Sequence, residues 1–488
     1  MKDSNSATFQ LVTIVLFLSL SWRATSDSSS QVDKFLQCLA NNSALMLESI
    51  YTPIAIVAPN HVSHVQATVI CAKDNGVQIR VRSVGHDYEG LSYRSNVTFV
   101  ILDMFNLRSI DVDVDVDNEV AFVQAGATIG KLYYKIANES KGHAYPAGVC
   151  PSLGTGGHFS GGGKYGLSVD NILDAQVVGA DGNILDQASM GEDLFWAIRG
   201  GGGASFAVIV SWKIKLVQVP EKVTVFTVLF TLEQGATDVA FKWQQVAPKL
   251  PEDLYIRQIA SVINGSCPLE KKILVSFMGL FLGEADKLVP LVNQSFPELN
   301  LTKEDCKEMS WLESTVYWAG FPVGTPVQVL LNRTQGAPNI FKVKSDVKTV
   351  IPKEGLETIW QMLIGMGNTS AANISMQWNP YGGKMSEIPE SSTAFPHRSG
   401  NLFLIQLRDM YDRMGPFVSK DPREAFLNYR DIDIGSSPSD QTNFTHAQVY
   451  GSKYFKDNFQ RLTMVKAEMD PSNFFKNEQS IPPNFNFK

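Results

Sequence analysis

The sequence predicts an α+β protein in two parts, the second an antiparallel sheet covered on one face by helices. Two patterns carry this. From about Tyr51 to Val219 strands and helices interleave without a regular βαβ rhythm. After Val219-Pro220 long β-branched and aromatic runs, VTVFTVLFTL and KILVSFMGLFLG, alternate with helical stretches. Composition agrees: of 488 residues 44% are apolar and 19% charged, which supports a large core and excludes a disordered chain. Lys plus Arg is 42 and Asp plus Glu is 49, a net charge of -7, which argues against a nucleic-acid partner because no basic patch displaces phosphate counterions.

Each element follows from its local pattern. IAIVAP is a short apolar strand. Asn60 is placed to cap a helix carrying Val62, Val65, Val69 and Ile70 and ending at Gly76. VQIRVRSV alternates strictly, as a half-buried strand does. TFVILDM and EVAFVQAG are further strands, and Thr128 to Lys141 has the apolar stripe of a helix. ILDAQVV and ILDQ flank the turn ADGN, DLFWAI is a short helix, and ASFAVIVSWKIKLVQV reads as one long strand. In the second part Ala285 to Phe296, Lys303 to Trp318 and Leu356 to Met366 read as helices, and ISMQWNPYGG as a strand. The run DVDVDVD from Asp111 to Asp117 is expected at an exposed edge or turn; valine at every second position spoils a calcium loop.

The N-terminus has the form of an export signal over residues 1–26: Lys2, an apolar run from Leu11 to Leu20, and small residues Ala24 and Ser26 before cleavage. Ten residues are too few for a bilayer anchor, and no other stretch is long and apolar enough to span one. Ten N-x-S/T sequons, at Asn41, Asn96, Asn138, Asn264, Asn293, Asn300, Asn332, Asn368, Asn373 and Asn443, exceed the three or four that chance supplies, roughly, and fit a secretory glycoprotein. Such a compartment favours paired cysteines; five are present, Cys38, Cys71, Cys150, Cys267 and Cys306, so one is left over. The mature protein is expected to be soluble and lumenal or extracellular, a monomer without membrane contact.

Glycine clusters dominate the first part: SLGTGGHFSGGG from Ser152 and RGGGGASF from Arg199. Neither matches the dinucleotide fingerprint, a phosphate-binding loop ending in Lys-Ser/Thr, or a nucleophile elbow. Glycines this dense let backbone lie against a flat or phosphate-bearing ligand and offer it N–H donors, so a large cofactor is expected. The segment Arg82-Ser83-Val84-Gly85-His86 leaves a strand with a cation and small residues, suited to a pyrophosphate.

Together VRSVGHDYEGLSY, PAGVCPSLGTGGHFSGGG, SMGEDLFWAIRGGGGASF, FPHRSGNLF, NYRDIDIG and NFFKNEQSIPP, in this order between about Phe35 and Pro483, resemble the plant berberine bridge enzyme-like flavoproteins of the vanillyl-alcohol oxidase / p-cresol methylhydroxylase superfamily. The resemblance implies a FAD-binding domain in two stretches, 27–219 and a C-terminal return over 426–488, around a substrate domain at 220–425. It implies FAD held by two covalent bonds, from His86 to the flavin 8α-methyl group and from Cys150 to ring carbon 6. His158 then tunes the ribityl side of the flavin. Ser83, Val84, Gly85, Gly154, Gly156, Gly157, Arg82 and Tyr429 join the cofactor-contacting set. Tyr88 matches an active-site tyrosine, Gln406 stands where alkaloid-oxidising members carry a glutamate base, and Cys38 pairs with Cys71. The third residue after the attaching cysteine governs oxygen access, valine admitting it and leucine hindering it; here it is Leu153.

The implied reaction is hydride transfer from a plant alcohol or sugar, of the monolignol or oligosaccharide type, to the flavin, with a tyrosinate base activated by a nearby cation and reoxidation by O2 or another acceptor. An alkaloid oxidase is the alternative, with Gln406 in place of glutamate against it. A flavin-binding protein with impaired turnover is another, because the chain departs from the family pattern. Stretches are missing between Pro53 and Ile54, after Gly163 and after Gln406. The usual tyrosine slot of the glycine loop holds Lys164, with Tyr165 one place off; Val84 replaces a glycine, and Leu404 replaces a lysine of some oxidases.

Overall fold

The computed structural model describes residues 34–35, 37–38, 47–48, 53–115, 118–159, 167–267, 270–333, 342–369, 374–407, 414–420, 422–437 and 443–485, with backbone alone at 47–48, 342–346, 369 and 406–407. The leader, the sequons at Asn41 and Asn373, and the loop with Lys164 and Tyr165 lie outside the described residues.

The first part opens with β1 (Leu47–Glu48), β2 (Ala55–Val57), helix α1 (Val62–Asp74), β3 (Gln78–Arg82) and β4 (Phe99–Asp103). Their sheet runs β1-β2-β4-β3, with β4 parallel to both β2 and β3. The cap of α1 is His61, whose ring accepts the Ser63 N–H, and not Asn60. Parallel pairing covers both faces, so Gln78, Ile79 and Arg80 are all buried, where alternation had suggested one wet face. A second sheet, ordered β5-β6-β10-β8-β9, joins β5 (Ile110–Asp113), β6 (Val120–Gln124), β8 (Ile172–Val178), β9 (Ile184–Leu185) and β10 (Val208–Lys215), with α2 (Ile129–Glu139) and α3 (Gln187–Ile198) alongside. The start of the acidic run forms the edge strand β5, as expected. The long strand expected after Ala204 breaks at Leu216, and its end, β11 (Val217–Gln218), pairs instead with β7 (His143–Ala144).

The second part contains β12 (Val223–Thr231), α4 (Ala236–Val246), β13 (Leu254–Asn264), β14 (Lys271–Phe281), α5 (Ala285–Ser295), β15 (Cys306–Met309), α6 (Trp311–Trp318), β16 (Lys342–Val347), α7 (Lys353–Thr369), β17 (Ser375–Pro380) and β18 (Phe403–Leu407). The strands form one antiparallel sheet, β15-β12-β14-β13-β17-β18-β16. Trp243 of α4, Leu288 of α5 and Trp360 of α7 pack with Phe277 and Trp378 into the second core, so one face is covered by helices. On β13, Leu254, Ile256 and Gln258 are buried, whereas Tyr255, Arg257 and Ile259 are only half-buried and line a cavity. This strand was not expected. Residues 303–310 are not helical: pairing with β12 makes 306–309 a strand before α6 begins.

The C-terminal helices α8 (Phe444–Phe455) and α9 (Asn458–Met469) return to the first core, where Tyr450, Tyr454, Phe459 and Leu462 meet residues of the first sheets. Met385, Ala394 and Phe395 belong to that core as well. Buried ion pairs pin these returns, Arg80 to Glu478 at 2.9 Å and Arg398 to Asp170 at 2.7 Å; Lys466, itself held by Asp470 four residues on, donates to the Ser205 carbonyl. Cys38 and Cys71 form a disulfide with Cα atoms 5.6 Å apart. Cys267 and Cys306 do not pair; one is exposed beyond the end of β13, the other is buried on β15. The eight described sequon asparagines are all exposed. No helix among the described residues is long and apolar enough to cross a membrane.

Arg80 is 2% exposed, so its charge depends on Glu478. Glu478→Ala leaves a buried cation without its counter-ion and is expected to cost about 3 kcal/mol in denaturant unfolding. The double change Arg80→Met with Glu478→Leu is expected to recover most of that loss.

Candidate functional site: a cavity between two cores

A cavity of about 1220 Å³ is lined from both parts of the chain. On the first part the turn after β3 carries Ser83 to Tyr88, and a second loop carries Cys150 to His158. The two are locked together by close approach. A Cβ on Gly154 would sit 2.2 Å from Ser83 Oγ and 2.6 Å from Val84 Cγ2, so only glycine fits there. The N-terminus of α2 holds the second loop from below. Ile129 N–H donates to the Leu153 carbonyl and Gly130 N–H to the Pro151 carbonyl, and Thr128 caps the helix. Gly85 takes φ 89°, a left-handed turn that swings His86 back toward that loop.

His86 and Cys150, 64 positions apart, meet on Ser152. Its Oγ lies 3.0 Å from His86 Nε2 and 3.4 Å from Cys150 Sγ. Burial holds the His86 imidazole below its ordinary pKa, so it is neutral at neutral pH. His158 Nε2 accepts the Gly148 N–H at 2.8 Å. That bond fixes the tautomer: the proton sits on Nδ1. Burial and the proximity of His86 lower the His158 pKa to about 4. Gly156 and Gly157 complete the wall, and a Cβ on Gly157 would meet nothing within 4 Å. Leu153 lines the same wall.

Arg82 does not take part. Its guanidinium is turned to Asp103, with Nη2 2.6 Å from Oδ2, and is not among the lining residues. The cation of β3 that lines the cavity is Arg80, which sequence reasoning passed over. Glu478 holds its Nη2, while its buried Nε and Nη1 have no hydrogen-bond partner among the described residues. Orphan donors on a buried cation, a glycine cradle and two nucleophilic side chains fit a flat, anionic cofactor such as FAD.

The opposite wall belongs to the antiparallel sheet. Arg257 Nε donates to Asn379 Oδ1 at 2.8 Å, and Tyr255 and Gln377 reach the same oxygen at 3.2 and 3.1 Å. The Arg257 guanidinium lies 5.0 Å over the Trp318 ring. Leu404 lines this wall too, on the strand whose Gln406 pairs in register with Gln377. Tyr88 and Tyr429 face one another across the junction, with ring centroids 5.9 Å apart. Tyr88 is 39% exposed, and it lines the cavity. Burial first, then Tyr429 and Cys150, push the Tyr88 phenol well above its ordinary value, so the lowered pKa expected of a tyrosinate base is not found there. Burial also raises Tyr429, where Arg257 opposes that push. Arg257, Asn379, Tyr255 and Ser152 were missed in the sequence. The alternation in LYIRQIASVIN is the signal that would have found the first strand.

An imidazole that loses its proton on folding binds it better in the unfolded chain. Stability therefore rises with pH from about 4 to the ordinary 6.5, and is lost on acidification through that window. At about 1.4 kcal/mol per pH unit, His158 contributes on the order of 3 kcal/mol of acid sensitivity. Denaturant unfolding over a pH series is expected to show a flatter acid limb in His158→Asn than in the wild type.

Two family models match the chain: "FAD binding domain" over residues 53–187 and "Berberine and berberine like" over residues 425–482. Berberine bridge enzyme-like 17 of Arabidopsis thaliana is 52% identical over 524 residues, covering 96% of this chain and 98% of the relative. That span exceeds the 488 residues of the whole chain, so the relative carries internal residues that this chain lacks. Among solved structures, BBE-like #28 from Arabidopsis thaliana superposes with a TM-score of 0.85 at 41% identity, covering 93% of this chain and all of the other. Phl p 4, a grass pollen allergen with glucose dehydrogenase activity, gives 0.84 at 39% identity, covering 92% and 99%. An isoleucine-to-valine variant of that allergen is a glucose oxidase. The chain belongs to the berberine bridge enzyme-like family of FAD-binding oxidoreductases and is an FAD-linked oxidase or dehydrogenase.

Proposed function

We propose that the chain holds FAD covalently through His86 and Cys150 and oxidises a CH–OH group of a sugar or plant alcohol. The convergence of the two side chains on one serine hydroxyl at the cavity wall carries the covalent reading. His86, Cys150, His158 and the glycine loops would hold the ring and ribityl side, and Arg80 an anionic group. Bound FAD supplies a two-electron acceptor for hydride. The substrate wall offers what a hydroxyl-rich ring needs: the amides of Asn379 and Gln377, and Trp318 as an aromatic platform. The glucose dehydrogenase activity of Phl p 4 supports the sugar reading.

Tyr429 is the favoured base for the substrate hydroxyl, since it lines the cavity and Arg257 opposes the upward push that burial gives its phenol. Tyr88 then orients the substrate beside it. Leu153 acts as a screen against oxygen, which makes the protein a dehydrogenase. The isoleucine-to-valine change that accompanies oxidase activity in Phl p 4 supports a screen made of one aliphatic side chain. The internal residues that this chain lacks favour a second reading, in which flavin is held but turnover is impaired. Restoring a family-like loop segment before Lys164 then speeds flavin reduction.

Acid-precipitated protein is expected to stay yellow. Anaerobic mixing with glucose, oligosaccharides or cinnamyl-type alcohols is expected to bleach the flavin band, about 10²-fold more slowly in Tyr429→Phe. Leu153→Val is expected to speed reoxidation in air-saturated buffer. A flavin that every member of the panel leaves oxidised, before and after loop restoration, overturns the substrate class.

A further inference from the structure

We infer that Ser152 is the positioning residue that prepares both His86 and Cys150 for attachment, through a single chain of hydrogen bonds. The inference rests on the covalent reading above and extends it to the group that sets the proton positions. Ser152 is 6% exposed and lines the cavity. Its hydroxyl carries one hydrogen and two lone pairs. If that hydrogen points at His86 Nε2, the imidazole proton moves to Nδ1, and neither the free ring nitrogen nor the sulfur is activated. If Nε2–H donates to Oγ and Oγ–H donates to Sγ, both contacts are satisfied. Nδ1 then carries a free lone pair, and the sulfur gains a hydrogen-bond donor that fixes where it points. One hydroxyl thus positions two nucleophiles.

The surroundings leave this task to Ser152. The titratable groups acting on the pair are His158, which faces His86, and Tyr88, which faces Cys150. Both are neutral at neutral pH, and Ser152 is the hydrogen-bond partner of Sγ among the described residues. The loop holds Ser152 still, because Leu153 N–H closes a turn onto the Cys150 carbonyl and α2 binds the carbonyls on either side of it.

Attachment at His86 joins Nδ1 to the 8α-carbon. That methyl group loses one proton, and the Nε2 proton leaves along Ser152. The C–H electron pair passes to the ring, which takes up two electrons and two protons and returns them to dioxygen as hydrogen peroxide. Attachment at Cys150 joins the thiolate sulfur to ring carbon 6. The hydrogen on that carbon leaves as a proton, and dioxygen again takes the two electrons.

The test uses full-length wild type, Ser152→Ala, and the size-matched pair Ser152→Thr and Ser152→Val, purified at intervals after induction. Peptide masses report flavin on His86 and on Cys150 separately, from mildly acid to mildly alkaline pH. Loss of the hydroxyl in the Ala and Val forms is expected to slow both attachments about tenfold, the rate equivalent of one hydrogen bond. Rescue by Ser152→Thr, which restores the hydroxyl at nearly the size of valine, is the result that loosened packing alone does not produce. Ser152→Thr is expected to match the wild type. The size-matched pair decides the case if the Ala form fails to fold. A doubly attached wild type with Ala and Val forms of equal rate overturns the role of Ser152 alone. A wild type that attaches flavin at neither residue overturns the covalent reading and this role with it.

Discussion

The close approach of the loop backbone at Gly154 to the Ser83 and Val84 side chains is the constraint on which the rest of the site depends. Gly154 leaves no room for a side chain against Ser83 and Val84. The free amides of α2 then hold the carbonyls of Pro151 and Leu153, so the loop is fixed from two sides. Once both contacts exist, His86, Ser152 and Cys150 fall into line, and Leu153 has one place to go. A side chain at position 154 would separate the loops and dissolve that alignment without touching any reacting group.

A second layer of constraint closes the cavity from behind. The C-terminal segment supplies Tyr429, Arg430, Lys476 and Asn477 to the wall, yet it lies hundreds of residues from the turns it meets. Two buried cations hold it there: Arg80 on Glu478, and Lys466 on the Ser205 carbonyl. Arg398 on Asp170 does the same for the approach from the second core. Desolvation cancels much of the Coulomb gain in such pairs. Their consequence here is geometric: each has one acceptable partner, which sets one register for the returning chain. The arrangement of Arg80 is double-sided, since the nitrogen held by Glu478 leaves two others buried without a partner among the described residues.

Electrostatics divides the two facing tyrosines. Tyr88 and Tyr429 are similar in chemistry and lie ring to ring; burial raises both, and at Tyr429 the Arg257 guanidinium opposes it. That guanidinium comes from β13, and its orientation is set by Asn379 on β17 and by the face of Trp318. This sheet presents a cation, Arg257, two strands from Leu404 on the same wall.

The sequence by itself determined the class of fold, the covered antiparallel sheet, the edge position of the acidic run and, through motifs in order, the family and the disulfide between Cys38 and Cys71. Those features are local: periodicity, turn chemistry and unbroken strings of residues survive reading in one dimension. The tertiary structure alone decided which cations matter. Arg82 stands next to the glycine turn in the chain, yet Asp103 takes its charge. Arg80 read as an ordinary strand residue and Arg257 lay on a strand that was not expected, yet both line the cavity because parallel pairing buries one and strand alternation turns the other inward. Ser152 stood in the sequence only as the first residue of a glycine loop. Its meaning depends on a histidine 66 residues away, and only folding supplies that distance.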